Sequence, residues 1–128
     1  MARHIPSEAY DAYFAYFTAC TRQDLVSDVS TPTNLNNTLA HVTMTGGDFS
    51  VGVGDSSGRK LTIAEKESID VTDNGTTRHA VLSYTGDGGT TWNIRLVTTC
   101  SEREVQETAG DKVNMGSYYL NVAGPVAP

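Results

Sequence analysis

Arg78-His79-Ala80-Val81-Leu82-Ser83-Tyr84-Thr85-Gly86-Asp87-Gly88-Gly89-Thr90-Thr91-Trp92-Asn93-Ile94-Arg95-Leu96-Val97-Thr98 is the stretch that decides the fold. In its first part Ala80, Leu82 and Tyr84 fall on one side. In its last part Trp92, Ile94, Leu96 and Thr98 alternate with Asn93, Arg95 and Val97. A side-chain period of two is what a half-buried strand requires. The glycine-rich run from Thr85 to Thr91 supplies turn chemistry between them. The stretch reads as a β-hairpin.

The same period recurs on both sides of it. Ala40, Val42 and Met44 alternate with His41, Thr43 and Thr45, and Gly46-Gly47-Asp48 is a turn. Phe49, Val51 and Val53 follow, then a loop at Gly54-Asp55-Ser56-Ser57-Gly58. Leu61 with Ile63, and Ile69 with Val71, make two further short strands. Asp73-Asn74-Gly75 is a hairpin signal. Val113, Met115, Tyr118, Leu120 and Val122 form a last alternating run, with a bulge expected at Gly116-Ser117. About eight short strands at roughly ten-residue intervals predict a mainly β chain, a single antiparallel β-sandwich or barrel-like domain.

One helix precedes the strands. Ser7 is the expected N-cap, and Glu8 sits where the helix dipole favours a carboxylate. Tyr10, Tyr13, Phe14 and Phe17 follow at i, i+3, i+4 and i+7, and Cys20 continues the stripe, which predicts a helix over 7–21. Core packing accounts for those four aromatics. Tyr16 lies off the stripe. Residues 22–37 read as irregular. The expected layout is one domain: an arm over 1–6, the helix, a β-domain over 38–123 and an extended tail over 124–128.

The chain has 128 residues, enough to bury a core without disulfide or metal. Its net charge is −6, and its nine Lys and Arg are scattered, with only Arg59-Lys60 adjacent. Nucleic-acid binding draws on clustered cations, so no nucleic-acid partner is expected. No apolar run approaches membrane-spanning length, and the N-terminus lacks the apolar core of a signal peptide. Cys20 and Cys100, eighty residues apart, are expected to be reduced, buried and inert.

Motifs for chemistry are absent or incomplete. Gly54 and Gly58 enclose three residues where a phosphate loop needs four, and Leu61 stands where its hydroxyl belongs. His4, His41 and His79 show no ligand spacing for zinc. Glu65, Glu67 and Asp70, and Glu102, Glu104 and Glu107, do not fit a calcium loop. No G-x-S-x-G elbow occurs. The expectation is a non-enzyme with no cofactor and no metal.

Thr85, Asp87, Gly89, Thr91 and Trp92 resemble the Asp-box of sialidases and related β-propellers. That motif is structural: the Asp accepts backbone N–H groups of its own turn, and the Trp covers the hairpin base. It occurs once here, in a chain too short for a propeller, so it carries no activity over.

From about Ala9 to Ala127 the chain resembles a family of small tailed-bacteriophage virion proteins. The resemblance lies in the short helix, Leu39-Ala40-His41-Val42-Thr43-Met44, Gly47-Asp48-Phe49, Gly54-Asp55-Ser56-Ser57-Gly58-Arg59-Lys60-Leu61-Thr62-Ile63, Ile69-Asp70-Val71-Thr72-Asp73-Asn74-Gly75, Arg78-His79-Ala80-Val81-Leu82 and Gly110-Asp111-Lys112-Val113-Asn114. It implies a virion part assembled in a bacterial host's cytoplasm. A capsid decoration (cement) protein bridging neighbouring major capsid subunits is the first expectation, with self-association as a trimer its expected companion. A head–tail adaptor or tail component is the alternative. The contacts expected are Arg3, His4, Ile5 and Pro6 of the arm, Tyr10, Tyr13, Tyr16 and Phe17 of the helix, and Pro125 and Pro128 of the tail. A carbohydrate- or receptor-binding module of a tail spike is a further alternative; it would use exposed Trp92, Tyr118 or Tyr119, and the last two should face opposite sides of a strand.

Overall fold

The computed structural model describes residues 7–53 and 58–122. The chain is mainly β, with one N-terminal helix, α1 (Ser7–Thr18), ahead of nine antiparallel strands. They are β1 (Arg22–Val26), β2 (Thr38–Thr43), β3 (Phe49–Val53), β4 (Arg59–Ile63), β5 (Lys66–Asp70), β6 (Gly75–Tyr84), β7 (Asn93–Val105), β8 (Lys112–Met115) and β9 (Tyr118–Val122). They form three sheets in the orders β2-β1-β6-β7, β3-β4-β9 and β5-β8. A bridge between Ala40 and Val71 links β2 to the end of β5. Among the described residues no barrel closes, because β7 and β8 end their sheets without pairing to each other.

The β6–β7 hairpin is the backbone of the large sheet, joined through the 85–92 loop. β1 lies at its centre, between β2 and β6. This corrects the reading of 22–37 as irregular and moves the start of the β-domain from residue 38 to residue 22. The reason is burial. Gln23, Asp24, Leu25 and Val26 are all buried, two of them polar, so the strand shows no alternation of apolar and polar residues.

The helix ends at Thr18, three residues short of the expected boundary. Thr21 has already entered the sheet, where its N–H donates to Ser83 O at 3.1 Å and its carbonyl accepts from Met44 N at 2.8 Å. Asp73-Asn74-Gly75 does not close a hairpin: β5 pairs with β8, and β6 pairs with β1 and β7. The segment instead carries the chain from one sheet to another. Asn74 Oδ1 there accepts Glu107 N at 2.8 Å. Gly116-Ser117 is likewise a crossover, between β8 and β9 of different sheets, and not a bulge within one strand.

Two apolar clusters fill the space between the sheets. In one, Tyr10, Phe14 and Phe17 of α1 pack with Cys20, Met44, Leu61, Ile63 and Leu82. In the other, Leu25, Leu39, Ala40, Ala80 and Val105 of the large sheet meet Val71, Val113 and Met115. A fully buried side chain such as Phe14, Leu61 or Leu82 contributes about 1.5–3 kcal/mol by leaving water.

The other face of the large sheet is covered too. Asp24, Val26, Val81 and Ser83 are buried there. The 27–37 segment lies against this face: Pro32 is buried, and His79 Nδ1 is 2.9 Å from Asp28 O.

Candidate interaction surfaces

α1 seats itself along Tyr10, Phe14 and Phe17, all at or below 7% exposure. Two of the residues expected as contacts, Tyr10 and Phe17, are therefore core. Tyr13 and Tyr16 stand in solvent at 52% and 51% exposure. Tyr13 corrects the expected core stripe: its position lies a further step around the helix, and its ring packs edge-on against Phe17 with centroids 5.4 Å apart. Tyr16 meets Phe17 similarly at 5.3 Å. The two exposed rings form a ridge fixed by the core beneath. The other expected contacts, Arg3, His4, Ile5, Pro6, Pro125 and Pro128, lie outside the described residues.

The ridge is locked by a bulge in β7. Leu82 pairs with Leu96 while Ser83 pairs with Ile94, so Arg95 has no opposite number. A bulge re-aims the side chain of its extra residue. Arg95 is turned between two rings, its guanidinium carbon 4.2 Å from the Tyr16 centroid and 3.9 Å from that of Tyr84. Its Nη1 donates to Tyr16 O at 2.8 Å.

The 85–92 loop carries its own hydrogen bonds. Asp87 Oδ1 accepts from the N–H of Thr90 at 3.1 Å and of Thr91 at 2.9 Å, and from the Thr85 hydroxyl at 2.8 Å. Thr85 Oγ1 in turn accepts Gly89 N at 2.9 Å. Gly88 and Gly89 hold φ of 75° and 103°, which only glycine adopts freely. The N–H of Thr91, then the Thr85 hydroxyl, hold the Asp87 carboxyl below its ordinary value. Trp92 is half-buried, with the Arg22 guanidinium 5.4 Å from its ring centroid.

A second feature was not visible in the sequence. Thr77 pairs with Arg103 and His79 with Thr99, so Cys100, Ser101 and Glu102 stand opposite the single Arg78. Thr77 Oγ1 patches the broken ladder, donating to Ser101 O at 2.9 Å and accepting Arg103 N at 3.0 Å. This wide bulge walls a cleft of about 350 Å³ whose far side is the β8–β9 connection. Its floor holds Gln23, fully buried, with Nε2 3.1 Å from Met115 Sδ and Oε1 accepting the Tyr118 hydroxyl at 3.0 Å. Burial pushes the Tyr118 phenol up. Cys100 lines the cleft and is only half-buried, which corrects the expectation that both thiols are buried.

The remaining candidates are dispersed. Tyr118 and Tyr119 do face opposite ways: Tyr118 turns to Gln23, while Tyr119 is 53% exposed with Lys60 Nζ 4.6 Å from its centroid. His41 is exposed on β2, and His79 faces Asp28 O. Glu102 pairs with Arg78 and Asp70 with Lys112 at the surface. Among the described residues no three His, Cys, Asp or Glu side chains converge. No protein-family model, curated protein or solved structure matches the chain.

Proposed function

We propose that the chain is a non-enzymatic structural protein of a tailed-bacteriophage virion, a decoration protein that bridges neighbouring capsid subunits. The reading starts from the sequence resemblance. The observation that carries it further is the Tyr13–Tyr16 ridge. Both rings are half-exposed, yet they sit on a helix whose other face is core and whose backbone is held by Arg95. Aromatic rings are enriched in interface cores, and rings already ordered lose little freedom on docking. Many copies of a modest contact of this kind would raise the cost of separating capsid subunits through avidity. A trimer set on a capsid symmetry axis is the assembly this reading favours, and a head–tail adaptor is its nearest alternative.

The test is quantitative mass spectrometry of purified parent particles. The decoration reading expects a ratio to the major capsid protein of about one, as for one trimer per three subunits, or about one third, as for one copy per three subunits. A ratio of a few per cent would move the protein to the neck or tail. Absence from the particle would overturn the virion reading.

Exposed Tyr119, with Lys60 over its ring, favours a second reading as a glycan-binding module of a tail spike, since such platforms stack sugars. Glycan-array binding lost in Tyr119→Ala would support it. An array with no hits would remove it.

A further inference from the structure

We propose that the outward face of α1 is a self-association surface, on which α1 of a second copy of the chain lies antiparallel across a two-fold axis. The contact needs no capsid, so the inference goes beyond the virion reading and stands or falls apart from it.

α1 carries two apolar stripes. Tyr10, Phe14 and Phe17 make the buried one. Ala9, Ala12, Tyr13 and Tyr16 make the other. They stand at i, i+3, i+4 and i+7, so they share a face, and all four are exposed. Ala15 and Ala19 are exposed as well, and no charged or amide side chain occurs from Ala12 to Ala19. A helix that is apolar all round is normally a buried helix. A continuous exposed apolar patch marks a contact site.

The order of the outer stripe selects a second copy as its occupant. It runs small, small, large, large: Ala9, Ala12, Tyr13, Tyr16. Its reverse runs large, large, small, small. Laid antiparallel with the axis beside Ala12 and Tyr13, each Tyr13 falls opposite Ala12 of the other copy, and each Tyr16 opposite its Ala9. Rings then enter the spaces that alanines leave, the ridge-and-groove fit on which helix pairs depend. A two-fold contact has to be self-complementary in this way. Parallel order would set ring on ring and alanine on alanine.

Charge points the same way. Glu8 and Asp11 make the start of α1 acidic, and no basic residue of α1 stands in its last turn. The cation at that end is Arg95, whose Nη1 donates to Tyr16 O. Antiparallel order brings each acidic start level with Arg95 of the other copy. Parallel order sets acid beside acid, which repels. Tyr16 is already held by the Arg95 guanidinium stacked on its ring, so docking orders little that was free.

The contact is small. The twelve residues of α1 span about 18 Å, too little for the roughly 1,600 Å² of a standard stable interface. Pairing is therefore weak in dilute solution and is favoured where copies are crowded. On a particle it would join copies seated on neighbouring capsid subunits.

The test is sedimentation equilibrium of the full chain from micromolar to millimolar concentration, with oxidative cross-linking of cysteine variants. The expected result is a monomer–dimer equilibrium that Ala12→Glu, on the exposed stripe, weakens at least about tenfold. Val29→Glu, at a position 82% exposed in the 27–37 segment, should leave it unchanged. Ala12→Cys, beside the axis, should cross-link to its own counterpart. Ala19→Cys should not, because antiparallel order sets the two copies of that position about 20 Å apart along the helices. Peptide mapping separates these links from any through Cys100. Circular dichroism checks that each variant is folded, and the cysteine pair decides the matter if Ala12→Glu is not. A monomer at every concentration would overturn the proposal. So would a dimer or trimer indifferent to Ala12→Glu, a trimer lost in that variant, or equal cross-linking at both positions, which parallel pairing gives.

Discussion

The guanidinium of Arg22 grips both carboxylate oxygens of Asp24, Nε to Oδ1 and Nη2 to Oδ2, each at 2.8 Å. The two residues lie two apart on one face of β1, in the middle of the large sheet. Asp24 is 0% exposed and also accepts the Thr38 hydroxyl at 2.8 Å. The same Thr38 Oγ1 lies 3.0 Å from Leu35 O, an alternative acceptor for its one hydrogen, so the carboxylate sits where the 27–37 segment meets the sheet beneath it.

Asp24→Ala leaves the Arg22 charge half-covered and takes from the Thr38 hydroxyl its carboxylate acceptor. Losing one member of a buried pair costs about 3–5 kcal/mol. Urea unfolding should show a lower midpoint with an unchanged slope. The double variant Arg22→Leu/Asp24→Leu should recover most of the loss, because no unpaired charge remains. Equal destabilisation of the single and double variants would contradict this account of the pair.

Arg95 is the extra residue of a bulge, and its side chain stacks between Tyr16 and Tyr84. Arg95→Ala removes two ring contacts and a charge-assisted bond to the helix backbone, together worth about 1–2 kcal/mol. Arg95→Lys keeps the charge but loses the planar fork, and should recover less than half. Near-ultraviolet circular dichroism of the tyrosines, read beside thermal melts, checks both. A Lys variant as stable as wild type would mean that charge alone holds the helix.

The β6–β7 hairpin was legible because Ala80, Leu82, Trp92, Ile94 and Leu96 keep a period of two around a glycine-rich turn. β1 was not, because Gln23 and Asp24 are polar residues buried on opposite faces, satisfied by Tyr118 and Arg22. Asp73-Asn74-Gly75 announced a tight turn but not its destination, which the non-local pairing of β5 with β8 decides. Tyr16 could be picked out as off the stripe. The cleft and the placing of Arg95 could not, since the bulges at Cys100–Glu102 and at Arg95 are properties of register against β6. The residues themselves mark neither.

Acid should weaken the fold through two loop carboxylates. Lys66 Nζ lies 2.8 Å from Asp48 Oδ1, and Thr45 N–H donates to Oδ2 at 2.8 Å. The Lys66 contact, ahead of the Thr45 bonds, holds the Asp48 carboxyl below 3.8. Asp87 is lowered by its own turn. Unfolded, both return to their ordinary value, so the unfolded chain binds more protons below that pH. The stabilisation is complete above 3.8 and is lost as pH falls through the folded values. Asp48→Asn and Asp87→Asn should each melt below wild type at neutral pH. The gap should close between about pH 5 and about pH 2. A gap that persists at the acid end would show that the carboxylate charge is not what holds these loops.

The two thiols should differ by location. Cys20 sits among Phe14, Phe17 and Leu82, and burial pushes its pKa up to about 11, with the Arg95 charge opposing. Cys100 is also raised by burial, but less completely covered, and a bond to Thr77 pulls the other way. The thiolate is the reacting form, and reagent must also reach it. With iodoacetamide at about pH 8, the native protein should take up label at Cys100 slowly and at Cys20 only through opening of the core. Peptide mapping against time separates the sites. Denaturant should release Cys20 in step with the loss of tertiary signal. If Cys20 instead reacts in the native state as fast as Cys100, then α1 detaches from the sheets on its own, and the Tyr13–Tyr16 ridge is not a rigid surface.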